Sequence, residues 1–361
     1  MGKTKRIIRT IIIVLIVLVI VCVIATAGLS VYIYDQNFNC RFDTYEPLSA
    51  SLDDFDGLSR TKYEVESDKG QKLAGYMYTA DTEPHGILII AHGFGGGGHN
   101  SYMDVADYFA HHGYYVFAYD ATGCDESEGE GVGGLSQGLI DLDHVISYLE
   151  DSDEFPDLPI VLFGHSWGGY CVSSVLAYHP EVKAVIECSG FNSASDMFEI
   201  EGKSQAGSFI YAMMPFVNAY DRIKFGKYAD TTALDGFASS ETPVMIVHSE
   251  DDNVVPIGKG YDLYYEKYKD DQRFTFMKLR DAGHNYCFSS KEGRDYIDEF
   301  NAGFDSFRES LTYDISLPEN KDRFAAEKAA YLKEHLDRDI YFHMLDEDLF
   351  AQFLDFYDKN I

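Results

Sequence analysis

The most apolar stretch of the chain lies between residues 10 and 34, which include no charged side chain, and 11–29 is almost wholly Ile, Val and Leu. At ~1.5 Å per helical residue such a run comes close to crossing a hydrocarbon layer of ~30 Å, so it predicts a transmembrane helix over 10–32. Residues 33–60 are polar with scattered aromatics and one Pro, the pattern of a stalk or of a packed N-terminal extension. Alternation begins at 62–65 and 72–78, two runs flanking Asp68-Lys69-Gly70, which predicts a hairpin. Short apolar runs rich in β-branched and aromatic residues follow at 87–91, 114–119, 160–163, 182–187, 244–247 and 274–279. Between them lie helical spacings such as Leu139, Leu142, Val145, Ile146 and Leu149. Strand alternating with helix predicts an α/β domain over 61–361, built on a mostly parallel sheet covered by helices on both faces.

Two stretches exceed what such alternation needs. More than fifty residues separate the strand near Cys188 from the one beginning at Pro243, so about 192–240 is expected to be an inserted helical cap. The segment from about 300 to 361 is longer than one closing helix and reads as a helical C-terminal extension, with a stripe of Leu349, Phe350, Phe353, Leu354 and Tyr357 for packing on the sheet.

Charge sets the expected location. Lys3, Lys5, Arg6 and Arg9 all precede the apolar run, and the first acid is Asp35. The positive-inside bias makes 1–9 a cytoplasmic tail, 10–32 a single-pass anchor and everything beyond it extracytoplasmic. A cleaved signal peptide ending at Ala25-Thr26-Ala27, giving a secreted protein, is the competing reading. The 361 residues carry a net charge of −31, and the chain beyond the basic flank is more acidic still, which would repel phosphate backbones and excludes nucleic acid as an expected partner. The six cysteines, at 22, 40, 124, 171, 188 and 287, form no C-x-x-C pair, so no metal site is expected; one pairing among Cys40, Cys124 and Cys287 stays open.

Chemistry enters at Gly164-His165-Ser166-Trp167-Gly168-Gly169, directly after the apolar run 160–163 and before a helical pattern. Strand, sharp turn and helix is the arrangement that lifts a serine hydroxyl clear of the end of a sheet. Such a serine needs a base, an acid that orients the base, and donors for an oxyanion. His92-Gly93-Phe94-Gly95 follows another strand, so the backbone amides of Phe94 and Trp167 are the expected oxyanion donors. No Lys-Ser/Thr follows that loop, and no nucleotide or other cofactor is expected. The strand over 244–247 delivers Asp251 and Asp252, of which Asp252 is the chosen acid and Asp251 its rival. The last strand delivers Asp281-Ala282-Gly283-His284, making His284 the base; the chain order Ser, Asp, His at strand ends carries that choice among twelve histidines.

With these motifs in place, G-H-S-W-G-G, H-G-F-G-G, D-D-N-V-V-P and A-G-H-N resemble the α/β-hydrolase superfamily, nearest its serine aminopeptidase and monoglyceride lipase branch, over roughly 61–300. Asp120 to Gly129 is similar to that branch's D-x-R-G-x-G-x-S-x-G loop, with Thr122 in place of Arg, Asp125 in place of Gly, and Ser249 where the branch has Gly before the acid. The whole looks like a membrane-anchored bacterial hydrolase. The resemblance implies the α/β-hydrolase fold, and it maps the acid, four residues before Pro256, onto Asp252.

The expectation is therefore a membrane-tethered serine hydrolase cleaving carboxylic esters, of acylglycerol, lysolipid or aryl type, through an acyl-enzyme. Within the cap, the apolar run containing Phe209, Met213, Met214 and Phe216 is expected to bind the acyl group. A peptidase or amidase is the alternative within the same chemistry, and an inactive binding module is the alternative outside it.

Overall fold

The structure is a computed structural model that describes residues 2–361. It opens on one unbroken helix, α1 (Gly2–Phe38), of 37 residues, about 55 Å at 1.5 Å per residue. Its Ile, Val and Leu side chains from Ile7 to Ile24 are exposed, with no protein over them. By length and composition this helix is long and apolar enough to cross a membrane.

Eight strands, β1 (Ser59–Glu66), β2 (Lys72–Thr79), β3 (Gly86–Ala91), β4 (Tyr114–Tyr119), β5 (Ile160–His165), β6 (Ala184–Cys188), β7 (Val244–Ser249) and β8 (Phe274–Leu279), join in one sheet of order β1-β2-β4-β3-β5-β6-β7-β8. β1 and β2 form the antiparallel hairpin, turning at Gly70 with φ +82°, and β2 meets β4 antiparallel. From β4 to β8 every pairing is parallel. β3, β5 and β7 are buried along their whole length, because helices cover both faces and alternation has no wet side to mark. Period two still sorts the two cores: Ile87, Ile89 and Ala91 belong to one apolar cluster, Leu88 and Ile90 to the other.

α2 (Met103–His111), α3 (Leu135–Asp151) and α4 (Trp167–Ser174) connect the first strands. Between β6 and β7 lie α5 (Ala194–Ala206), α6 (Ile210–Phe225) and α7 (Ala233–Ser239); α8 (Tyr261–Tyr268) joins β7 to β8. The chain closes with α9 (Lys291–Ser310), α10 (Lys321–His335), α11 (Arg338–Tyr341) and α12 (Glu347–Asp358). The stripe on α12 packs on the sheet, and the Tyr357 hydroxyl donates to the Leu162 carbonyl at 2.7 Å.

Of the two expectations for 33–60, the structure shows the packed extension and not the stalk. α1 does not stop at the apolar run but continues into the fold, where Tyr34 and Phe38 are buried. The Phe38 ring meets Phe198 at 4.8 Å, and Asn37 bonds to Gln205. Farther on, Arg41 donates to the carbonyls of Ser127 and Gly129, and Phe55 and Leu58 enter the second core. Of the aromatics that read as scattered, Tyr34 and Phe38 lie one turn apart on the same face of α1, and Phe42 lies beyond the helix in a bridge with Cys124.

Candidate active site

The Ser166 elbow is dictated by its glycines. A Cβ at Gly164 would stand 2.3 Å from the Gly168 carbonyl oxygen, and one at Gly168 would stand 1.8 Å from that of Ala91. Only hydrogen fits at either place, and the pinch drives Ser166 to φ +57°, a region that L-residues enter at a cost. α4 starts at Trp167, so the Trp167 N–H is one of the helix's unclaimed first-turn donors, beside the serine.

Three strand ends meet here. The Ser166 hydroxyl donates to His284 Nε2 at 2.9 Å, and His284 Nδ1 donates to Asp252 Oδ2 at 2.7 Å. Asp252 Oδ1 takes the N–H groups of Val254 and Val255 at 2.9 and 2.8 Å. Burial pushes the Asp252 carboxyl up, but the hydrogen bonds from His248 and His284 outweigh it and hold the group well below the usual carboxylate range. Asp251, the rival, does not reach His284. Its exposed carboxylate accepts the Ser249 hydroxyl and the Gly283 N–H instead, while Ser249 Oγ accepts the Ala282 N–H at 3.2 Å. Ser249 and Asp251 thus pin the turn that carries His284.

The loop after β3 is fixed as firmly. His92 is buried, its Nε2 accepting the Ala121 N–H at 3.0 Å and its Nδ1 donating to the Gly93 carbonyl at 2.8 Å; burial lowers its pKa, in keeping with this neutral tautomer. The Gly93 N–H donates to the Tyr102 hydroxyl, which donates to His165 Nδ1, and His165 Nε2 donates to the His284 carbonyl. One hydrogen-bonded chain therefore spans from the proposed oxyanion loop to the backbone of the proposed base. Its place in the elbow motif, one residue before Ser166, is the signal in the sequence for His165.

The N-terminal segment supplies the outer wall. Phe94 packs edge-on against Trp167 at 5.4 Å and against Phe42 at 4.8 Å, with Phe38 at 6.2 Å. Asp125, standing where the resembled loop has Gly, adopts φ +37° and accepts the Thr44 hydroxyl at 2.7 Å and the Gly98 N–H at 2.7 Å.

The four cap residues named from sequence do not form one wall. Met213 is buried on α1 beside Ile33, Phe38, Phe198 and Val217, whereas Phe209 is half exposed and Met214 and Phe216 are partly buried. The run is continuous in sequence, but α6 turns successive residues to different sides, and the side holding Met213 and Val217 is occupied by α1. Among the described residues all six cysteines are free.

A strand-elbow serine, a histidine from the last strand and an acid from the strand before it sit on a sheet whose first strands are antiparallel and the rest parallel. The chain has the α/β-hydrolase fold. The family model described as serine aminopeptidase, S33, matches residues 82–234. A monoacylglycerol lipase of Mycolicibacterium smegmatis is 28% identical over 134 residues, 37% of this chain and 47% of that one. A lysophosphatidylserine lipase of Xenopus tropicalis is 24% identical over 249 residues, 64% of this chain and 61% of that one. The chain thus spans about half to three fifths of the length of these two curated relatives. An esterase of Pyrococcus furiosus shares the fold, with a TM-score of 0.54 at 16% identity over 76% of this chain and 98% of that one. These likenesses fall in the monoglyceride lipase-like branch of the α/β-hydrolases.

Proposed function

We propose that this protein is a serine hydrolase that cleaves carboxylic esters of lipid type through an acyl-enzyme, held at a membrane by α1 with the hydrolase domain on the extracytoplasmic side. The observation that carries the reading is the hydrogen-bonded relay from Ser166 through His284 to Asp252. In the first step Ser166 Oγ attacks the ester carbonyl while His284 Nε2 takes its proton. Asp252 holds the imidazole in the required tautomer and balances its charge. The amides of Phe94 and Trp167 receive the developing oxyanion, and His284 then protonates the leaving alcohol. Water, activated by the same imidazole, releases the acyl group and restores the serine.

Lipid esters are favoured over soluble ones by the company the site keeps. Both curated relatives are lipases by name, and the exposed apolar length of α1 runs straight into the wall built by Phe38 and Phe42. The basic residues ahead of the run support the extracytoplasmic assignment. The matching family model is described as an aminopeptidase, which keeps amide cleavage as the second reading.

Labelling with a fluorophosphonate probe is expected to mark the native chain and to be abolished in Ser166→Ala. Turnover of p-nitrophenyl esters well above that of aminoacyl-anilides would support the esterase reading, and the opposite ranking would replace it with the peptidase. A native chain that neither labels nor turns over either substrate would leave a binding module.

A further inference from the structure

Behind the proposed triad lies a second set of buried ionisable groups that the chemistry above leaves unused. Period-two alternation sets Glu187 on β6 on the same face as Val185, and His248 on β7 on the same face as Val244 and Ile246; the strands pair with Glu187 opposite Ile246. Glu187 and His248 are fully buried. Both carboxylate oxygens of Glu187 and Nδ1 of His248 lack a hydrogen-bond partner, as do the nearby hydroxyls of Ser189 and Tyr264. The other nitrogen of His248 is committed: Nε2 lies 3.0 Å from the Val255 carbonyl and 3.2 Å from Asp252 Oδ2, the oxygen that also receives His284 Nδ1.

Packing a carboxylate and an imidazole into an apolar core without neutral partners is expensive unless their charges serve each other. Burial drives the Glu187 carboxyl up to about 7, opposed by the field of His248. Burial also works against a charge on His248, but the hydrogen bond to Asp252 and the field of Glu187 overcome it and raise the imidazole above its ordinary value. The other ionisable groups around this pocket are His165 from β5, Tyr264 from α8 and Cys287 from the loop after His284, and the His165 ring lies 5.1 Å from the His284 ring at a tilt of 40°.

We propose that His248 is a positioning residue, a second imidazole that grips Asp252 Oδ2 from behind the triad and, with Glu187 as counter-charge, tempers the pull of Asp252 on His284. This rests on the hydrolase reading above. It makes Asp252 a carboxylate shared between two imidazoles: one moves a proton with each turnover and the other stays fixed.

The test is the pH profile of kcat/KM in two variants. His248→Gln keeps a donor within reach of Asp252 and loses the charge; the acid limb is expected to move to higher pH by about half a unit with plateau kcat changed less than threefold, the size of a single screened charge removed from a nearby site. His248→Leu loses donor and charge; the limb is expected to move about one unit in the same direction and kcat to fall about tenfold or more at unchanged KM, the scale of one charge-assisted hydrogen bond. A role confined to packing would lower melting temperature or active fraction and leave the limb in place, and an unmoved limb in both variants overturns the proposal. Should the variants not fold, histidine nitrogen NMR on the Ser166→Ala chain decides: a doubly protonated His248 ring at neutral pH supports it, and a neutral ring overturns it. A native chain that fails to take the fluorophosphonate probe sinks the hydrolase reading itself, a result distinct from an unshifted profile in an active enzyme.

Discussion

Two buried aspartates in this molecule are driven in opposite directions. Asp252, at the end of β7, is held ionised well below the usual carboxylate range, whereas burial pushes Asp221, on α6 where it meets α1, up to about 6. Their exposures are alike, so burial alone does not separate them. Their donors do. Asp252 collects two backbone N–H groups and two imidazoles, while Asp221 collects the hydroxyls of Tyr34 and Ser136. Hydroxyls satisfy the lone pairs of Asp221 without matching its charge. A charge-bearing site and a structural junction can thus use the same residue type, and the donors around it tell them apart.

The largest test of this contrast is Asp252→Asn, expected to lower kcat by roughly 10⁴, as loss of the orienting acid does in serine proteases, with Asp251→Asn costing less than tenfold. Steady-state ester kinetics would check it, and the reverse ranking would move the acid to Asp251. Next is Phe38→Ala, which removes a ring shared by Phe198 and Phe94; a loss of about 3–5 kcal/mol of stability is expected, read by denaturant unfolding in detergent. A fall in kcat at unchanged KM in the surviving folded fraction would tie that ring to the placement of the Phe94 amide.

Met213→Ala should cost about 2–5 kcal/mol, because it empties the α1–α6 contact, whereas half-exposed Phe209→Ala should stay within about 0.5 kcal/mol. If Met213→Ala instead raised KM for medium-chain esters and left stability alone, an acyl-binding role for that residue would return. The last test concerns pH. A carboxyl whose folded-state pKa is raised binds its proton more tightly in the fold, so its contribution to stability is present below about pH 4 and is lost as pH rises toward 6, by up to about 3 kcal/mol. Asp221→Asn should flatten that part of the melting-temperature profile, and an unchanged slope would assign it to other groups.

The parts of this design that were legible in the sequence rest on local chemistry. The glycines at 164 and 168 announce the elbow because the same clash recurs wherever a strand turns into a helix so sharply. Ser166 and His284 follow from order along the chain, and the sheet follows from short apolar runs. What stayed hidden depends on partners distant in sequence. His165, Tyr102 and His248 look like ordinary core or surface residues until the fold sets them beside His284 and Asp252. The segment 33–60 left a stalk and a packed extension both open because its aromatics are sparse and its partners, Phe94, Phe198 and Tyr220, lie far along the chain. The cap run read as a single acyl-binding stretch because contiguous apolar residues say nothing about which helix covers them.

The unbroken course of α1 has a mechanical consequence. A flexible tether lets a tethered head tumble and sample every bearing, but a rod common to both parts transmits each tilt and twist. On the proposed membrane reading, with its apolar length embedded, the rod gives the head one latitude above the lipid and one azimuth around its axis. Each residue inserted between Leu29 and Ser30 would swing the head by about 100° and lift it by about 1.5 Å, so on that reading the frame of this helix acts as a compass for the head.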